Sequence, residues 1–319
     1  MDADLAAVEA ALAWLYLPGM AAHRAPAPRH RWLAVVSSLR AHLPPSVWPQ
    51  ALRHDNLWEE ALLLDSLPPV PAAPPFGGAW ALTGASPVFP ARWLQYLAHR
   101  CPPAFWAQGP ALAAAAQCVS VVGSRQLGPA DIDLATSVGW ALARAGYVVA
   151  SGGALGADTA AVLGVGAQRG STAQAIEVLP HGLALGVTTW SGSVPRPGVL
   201  RLSASAPTAR FTAPSAIERN TLLYTLGLAT VVVRCQHDTG GTWSGATSAL
   251  RRRLGPVFVF HDDANFARCG ADMRAAAAAL VARGATPVRD IDTLLAGLSA
   301  LAAQPYHGLG PQRQASLFA

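Results

Sequence analysis

Val119-Ser-Val-Val-Gly-Ser-Arg125 is a short apolar run that ends in a small, flexible turn carrying one fixed positive charge. A second run of this kind, Tyr147-Val-Val-Ala-Ser-Gly-Gly-Ala-Leu-Gly-Ala-Asp158, follows about one βα unit later. Downstream lies another, Thr230-Val-Val-Val-Arg-Cys-Gln-His-Asp-Thr-Gly-Gly-Thr-Trp-Ser-Gly-Ala246. Continuous apolar runs bounded by Gly and Ser read as strands buried on both faces. Each breaks into a turn that opens a helix, which places several potential phosphate-cradling loops along the carboxyl edge of one parallel sheet.

Working outward from these turns, the pattern alternates strand and helix from about residue 80 to about residue 295. It predicts strands at 118–122, 147–150, 175–179, 199–203, 229–233 and 256–260, and helices at 129–145, 157–169, 214–227, 243–253 and 271–283. That is a doubly wound, Rossmann-like α/β sheet. Ahead of it, Leu5, Val8, Leu12 and Leu15 recur at helical spacing, as do Trp32, Val35, Val36 and Leu39. Prolines cut that segment into short amphipathic helices. The expected organisation is a small helical domain over 1–67, a Pro/Gly-rich linker over 68–80, the Rossmann-like domain over 81–297, and a short disordered tail over 298–319.

Composition narrows the chemistry. All 23 basic residues are arginine, which excludes a P-loop lysine, a Schiff-base lysine and a lysine general base. Any anion site must use guanidinium forks, backbone N–H groups or hydroxyls. The net charge of +5 permits nucleic-acid binding without requiring it. Cys101, Cys118, Cys235 and Cys269 are scattered with no Cys-x-x-Cys pair, so neither a zinc site nor a disulfide framework is expected. No apolar run reaches membrane length and no basic leader precedes the first helix, so a cytoplasmic, membrane-free protein is expected.

In the first turn, Gly123 allows close backbone approach to an anion, Ser124 offers a hydroxyl and Arg125 a fork; the plain alternative is a βα turn with an exposed arginine. A nicotinamide fingerprint is absent: there is no Gly-x-Gly-x-x-Gly, and no acidic residue ends the strand at Ala150. The second turn supplies Ser151, Gly152, Gly153 and Gly156. Asp158 is expected to tie that turn at the helix start, with a catalytic or ribose role as the alternative. Arg219 beside Asn220 suits a phosphate and a base edge, and Phe211 suits base stacking, although Glu218 offers Arg219 a plain ion-pair partner. The third turn adds Gly240, Gly241, Thr242 and Ser244. Arg251-Arg-Arg253 reads first as a solvated face and second as a backbone contact. His261-Asp-Asp263 lacks a partner motif, so no metal or cofactor is expected, and no catalytic cluster stands out.

The order of these segments, with Glu218-Arg219-Asn220 between the second and third turns, resembles the DNA-processing protein A (DprA/Smf) family. Val88-Phe-Pro-Ala-Arg-Trp-Leu94 and Pro102-Pro-Ala-Phe-Trp-Ala-Gln-Gly109 are similar to that family's lead-in, and the resemblance covers roughly residues 85–262. The chain departs from it at Leu155-Gly-Ala-Asp158, where the family has Arg-Gly-Ile-Asp. It departs again at Ala160-Ala161 in place of Ala-His, and at Val259-Phe-His-Asp-Asp263 in place of Val-Pro-Gly. The resemblance implies a single-stranded-DNA-binding protein without catalysis, acting in recombination or competence. It also implies transfer of DNA to the RecA recombinase and homodimerisation through the α/β domain.

Two further likenesses bear on function. The third turn resembles that of the phosphoribohydrolases acting on cytokinin nucleotides, which implies a nucleotide sensor or N-glycosidase as the alternative reading. Their Gly-rich stretch is followed closely by a catalytic Glu, whereas Trp243 to Thr247 here contain no carboxylate. In the tail, Gln314, Ser316, Leu317 and Phe318 resemble the Gln-x-Ser-Leu-Phe peptide with which bacterial replication proteins dock on the DNA polymerase sliding clamp.

Overall fold

The computed structural model describes residues 3–19, 31–41, 44–66, 78–111, 117–166, 174–185 and 197–304. The tail motif at 314–318 and the Pro-rich run at 67–77 lie outside the described residues. Four helices come first: α1 (Ala3–Tyr16), α2 (Trp32–Ala41), α3 (Trp48–His54) and α4 (Trp58–Ser66). Then follow β1 (Ala79–Thr83), α5 (Ala91–Leu97), β2 (Ala104–Gln108), β3 (Cys118–Val122), α6 (Pro129–Arg144), β4 (Val148–Ser151) and α7 (Ala157–Gly166). The second half holds β5 (Ala175–Leu179), β6 (Val199–Ser203), α8 (Ala213–Leu226), β7 (Ala229–Val232), α9 (Gly240–Arg252) and β8 (Val257–Phe260). α10 (Ala271–Ala282), β9 (Thr286–Val288) and α11 (Ile291–Ala303) complete it.

The strands form one sheet in the order β1-β2-β6-β5-β4-β3-β7-β8-β9, parallel from β6 to β9 and antiparallel at the β1-β2-β6 end. The chain winds one way from β3 to β6, then returns to place β7 on the other side of β3. Strand side chains alternate between two cores: Cys118 and Val122 face one, Val119 and Val121 the other. α6, α7 and α11 cover the second face, while α8, α9 and α10 cover the first.

α6 and α7 meet almost backbone to backbone. A Cβ on Gly139 would stand 1.9 Å from the Ala161 carbonyl oxygen, and one on Gly164 would stand 2.0 Å from that of Thr136. The small residues Ala160 and Ala161 are therefore packing residues here, both buried on α7.

The expected doubly wound sheet is present, with three differences. The antiparallel β1-β2 pair, connected through α5, extends it: β1 begins at Ala79, inside the expected linker, and its alternation is too short to outweigh the surrounding Pro and Gly signal. The apolar core is also continuous from Leu12 and Trp32 through Trp93 and Phe105 to Leu222 and Trp243, so the N-terminal helices share one core with the α/β body. At the other end, α11 runs on to Ala303 past the expected start of the tail, capped at its N-terminus by Asp290 and anchored by Leu294 and Leu298.

Candidate nucleic-acid interface

The winding reverses between β3 and β7, and in open α/β sheets this switch point leaves a crevice at the carboxyl ends of the strands. A cavity of about 360 Å³ lies there, lined by the first turn, the third turn and the inward face of α8.

The first turn is held from behind. The Ser124 amide donates to the Arg234 carbonyl at 2.7 Å, and the Ser124 carbonyl accepts from the Ala157 amide at 3.2 Å. The Gly123 carbonyl accepts from the Thr242 hydroxyl at 2.8 Å, which ties the first turn to the third. A Cβ on Gly123 would stand 2.5 Å from that of Ala157, so the glycine is required by packing on α7 as well as by any ligand. The Ser124 hydroxyl and the Gln126 backbone bond each other at 3.1 Å in both directions, closing the turn. Arg125 is exposed at the lip of the cavity.

Arg234, at the end of β7, supports this arrangement from the core. Its side chain is 1 % exposed; Nε donates to Asp131 at 2.9 Å and Nη2 to Asp263 at 2.9 Å, with Nη1 and the second Asp263 oxygen 2.8 Å apart. Asp263 is thus part of a buried ion triad. Among the described residues no group of three metal-type ligands occurs, at His261 to Asp263 or elsewhere.

The second turn faces inward. One Asp158 oxygen accepts from the Gly152 amide at 3.2 Å and the Ala154 amide at 3.4 Å, so the carboxylate ties its own loop as expected. The Ser151 hydroxyl donates to the Val121 carbonyl at 2.7 Å and is fully buried. Gly152 and Gly153 are buried, and a Cβ on Gly152 would meet the Arg219 guanidinium at 1.5 Å. Gly156, at φ +79°, lets the chain pass against the Ser124 carbonyl. This turn gives the cavity only Ala154 and Asp158; Ser151, Gly152, Gly153 and Gly156 do not line it.

The third turn opens outward. Thr239 precedes α9 without a side-chain cap bond, and no acidic residue lies in the first turn of this 13-residue helix. Its first N–H groups therefore have no intrahelical acceptor and the helix dipole presents a partial positive charge there. Gly240 sits at φ +81° with nothing within 4 Å of a built Cβ, so its need for glycine is conformational. Asn220 steadies the turn by donating to the Gly241 carbonyl at 3.1 Å.

Arg219 is held in the interior rather than at the rim of the cavity. It is 6 % exposed, and its Nη1 lies 3.9 Å from Asp158 and 3.4 Å from the Val178 carbonyl. Its Nε has no hydrogen-bond partner among the described residues. Burial lowers the Arg219 pKa against the pull of Asp158, and burial raises the Asp158 pKa against Arg219, the two amides and Arg125. Desolvation thus outweighs a pairing too long to compensate it. A guanidinium stays charged in either case. The cavity floor is an under-compensated cation beside the open end of α9.

Gly123, Ser124, Arg125, Arg219, Asn220, Gly240, Gly241 and Thr242 therefore converge on one cavity. Ser244 is exposed further along α9, and Phe211, half-buried just before α8, does not line it. Gln126, Ala216, Tyr224 and Gln236 line it and went unremarked in the sequence. The two glutamines each stand four residues past a strand end, at the binding edge of the sheet; Ala216 and Tyr224 enter only through the packing of α8.

The family model of DNA recombination-mediator protein A matches residues 80–299, more than half of the chain. The chain belongs to this family. Among solved structures, DNA processing protein A from Streptococcus pneumoniae superposes with a TM-score of 0.61 at 17% identity, covering 92% of this chain and 97% of that one. DNA processing protein A from Helicobacter pylori, whose study concerns its single-stranded DNA binding mode, gives a TM-score of 0.50 at 21% identity over 63% of this chain and 88% of that one. No protein among the curated ones matches the sequence. Membership gives the chain a DNA-processing role and the family's fold. Within that fold, the family's Arg-Gly-Ile-Asp position is Leu155-Gly-Ala-Asp158 here; Leu155 is 48% exposed and Asp158 is buried.

Proposed function

We propose that this protein holds the sugar–phosphate backbone of single-stranded DNA in the crevice between β3 and β7. The observation that carries the reading is the convergence of Arg125, Arg219 and the uncapped start of α9 on one cavity. Backbone amides and guanidinium groups read phosphate without reading sequence. The Gly123-Ser-Arg turn and the Gly240-Gly-Thr turn supply the contacts, while the second turn supports them through Asp158. That the H. pylori relative is described as binding single strands supports the same ligand. No group in the cavity is assigned a catalytic role.

Fluorescence anisotropy with oligo-dT tests the reading. Affinity should fall steeply with salt, and removing Arg125 should lower the log–log slope by about 0.7, the value for one phosphate contact on a single strand. Duplex DNA of equal length should bind more weakly at matched salt; equal or tighter duplex binding would overturn the proposal. In the alternative reading, as a nucleotide sensor or N-glycosidase, the same cavity takes a free mononucleotide. Asp158 is then the carboxylate at hand, and release of free base from nucleoside monophosphates is the readout.

We further propose that the bound strand is passed to RecA, that the protein acts as a homodimer, and that Gln314, Ser316, Leu317 and Phe318 dock on the sliding clamp. The tail peptide offers an amide and an apolar Leu-Phe pair, and Gly308, Gly310 and Pro311 separate it from α11. Deleting 314–319 should abolish clamp binding and leave DNA affinity and Tm unchanged. Absence of clamp binding by the intact chain at roughly tens of micromolar in calorimetry would reduce the motif to chance.

A further inference from the structure

α8 has a second lined face. Across it from the anion cavity, at the carboxyl ends of β5 and β6, lies another cavity of about 190 Å³. Leu97, Leu179, Pro180 and Leu222 give it apolar walls, Arg100 and Arg252 bring positive charge to it, and Glu218 adds one carboxylate at its edge. Arg219 lines both cavities, and its buried Nε has no hydrogen-bond partner among the described residues.

A phosphate has no use for apolar walls, and a free aliphatic ligand has no use for cations beside them. A nucleotide chain needs both, with the backbone held by charge and the ring removed from water. The direction also fits, since both cavities sit on the same sheet edge and only the width of α8 separates them.

We infer that the second cavity is a nucleobase subsite, receiving an unstacked base from the strand whose phosphate occupies the cavity at β3 and β7. This rests on the single-strand reading above. Every base presents a π-face, so an apolar slot of this kind adds affinity with little sequence preference. Arg219 then serves both parts of the nucleotide chain, directing Nη1 toward Asp158 at the first cavity and leaving Nε for the segment that crosses α8.

The test compares oligo-dT with an abasic oligonucleotide of the same length and charge, using the full chain. The wild type should prefer oligo-dT by about tenfold, or ~1.4 kcal/mol. Ser205 lines the second cavity, and its amide, rather than its side chain, bonds Ser203. Ser205→Trp should therefore plug the slot, bringing oligo-dT affinity down to the abasic level. Abasic affinity should be unchanged, which also reports that the variant is folded. Ser205→Leu, a smaller plug, should give an intermediate loss. Two results overturn the inference while leaving the anion cavity intact: a wild type that binds both oligonucleotides equally, or plugged variants that keep the full dT preference. A wild type that binds neither overturns the single-strand reading along with it.

Discussion

Arg219 and Arg234 are both buried at the carboxyl edge of one sheet, on either side of the first turn, and they have opposite environments. Burial pulls on both pKa values. For Arg234 the hydrogen bond and charge of Asp263, together with the charge of Asp131, override it and the pKa ends raised; for Arg219 burial prevails and the pKa ends lowered. Two carboxylates within 3 Å satisfy the one, while a single carboxylate at 3.9 Å, shared with two amides, leaves the other under-compensated. A buried cation with its partners in place is scaffold. A buried cation without them, facing an open cavity, is disposed toward an anion that arrives from outside.

The largest effect should come from the scaffold side. Arg234→Met leaves Asp131 and Asp263 buried without their cation and should destabilise the fold by about 3–5 kcal/mol. Denaturant unfolding measures it. Oligo-dT should restore little, because the loss lies behind the first turn rather than in the cavity. A variant as stable as wild type would remove the distinction between the two arginines.

Arg219→Met should destabilise less, by about 1–3 kcal/mol, because Asp158 keeps its two amide donors. DNA affinity should fall at least tenfold. The pH dependence sharpens this. Burial already raises the Asp158 pKa, and removing Arg219 raises it further. A raised folded-state pKa favours the protonated carboxyl, so its contribution is fully present below the unfolded pKa and is lost as pH rises through the folded one. The stability gap between wild type and Arg219→Met should therefore be widest near about pH 7 and narrow toward about pH 4.5. A gap that is flat over this range would mean that Asp158 does not feel Arg219.

These contrasts mark what the sequence could and could not convey. The runs ending at Val122, Ser151 and Val232 are unbroken and apolar, so their strands, the turns after them and the helices that follow are legible from local pattern alone. β1 and β2 are short antiparallel strands, and β2 joins the sheet through β6, about a hundred residues away in sequence, a pairing that no local window contains. The site was legible where the glycines are exposed, as at Gly240. At Gly152 the same residue type instead accommodates the Arg219 guanidinium and an inward carboxylate. Glycine in a βα turn shows that something approaches closely; whether a ligand or the protein's own side chain does so is settled by tertiary packing. Arg219 is buried for a similar reason. Its place on α8 is fixed by Leu222 and Leu226 one and two turns on, both buried in the core, which draw its face of the helix inward.

Arg125→Ala separates binding from folding. Arg125 is exposed, so stability should stay within about 0.5 kcal/mol of wild type. Oligo-dT affinity should weaken by about 1–3 kcal/mol, the cost of leaving a charged partner unpaired. An unchanged isotherm would confine the anion site to the α9 start and Arg219.

The smallest effects separate neighbours on the third turn. Thr242 lines the cavity and its hydroxyl bonds the Gly123 carbonyl at 2.8 Å, holding two turns in register. Ser244 is two residues further, exposed and outside the lining, so its expected role in phosphate binding requires the strand to leave the cavity along α9. Thr242→Val should cost about 1 kcal/mol of stability from the lost hydrogen bond and should also loosen DNA binding, since the first turn shifts with it. Ser244→Ala should alter both quantities by less than about 0.5 kcal/mol. Paired isotherms for the two variants decide where the strand runs. If Ser244→Ala weakens oligo-dT binding as much as Thr242→Val does, the backbone follows the outer face of α9, and the crevice between β3 and β7 is only the edge of the site.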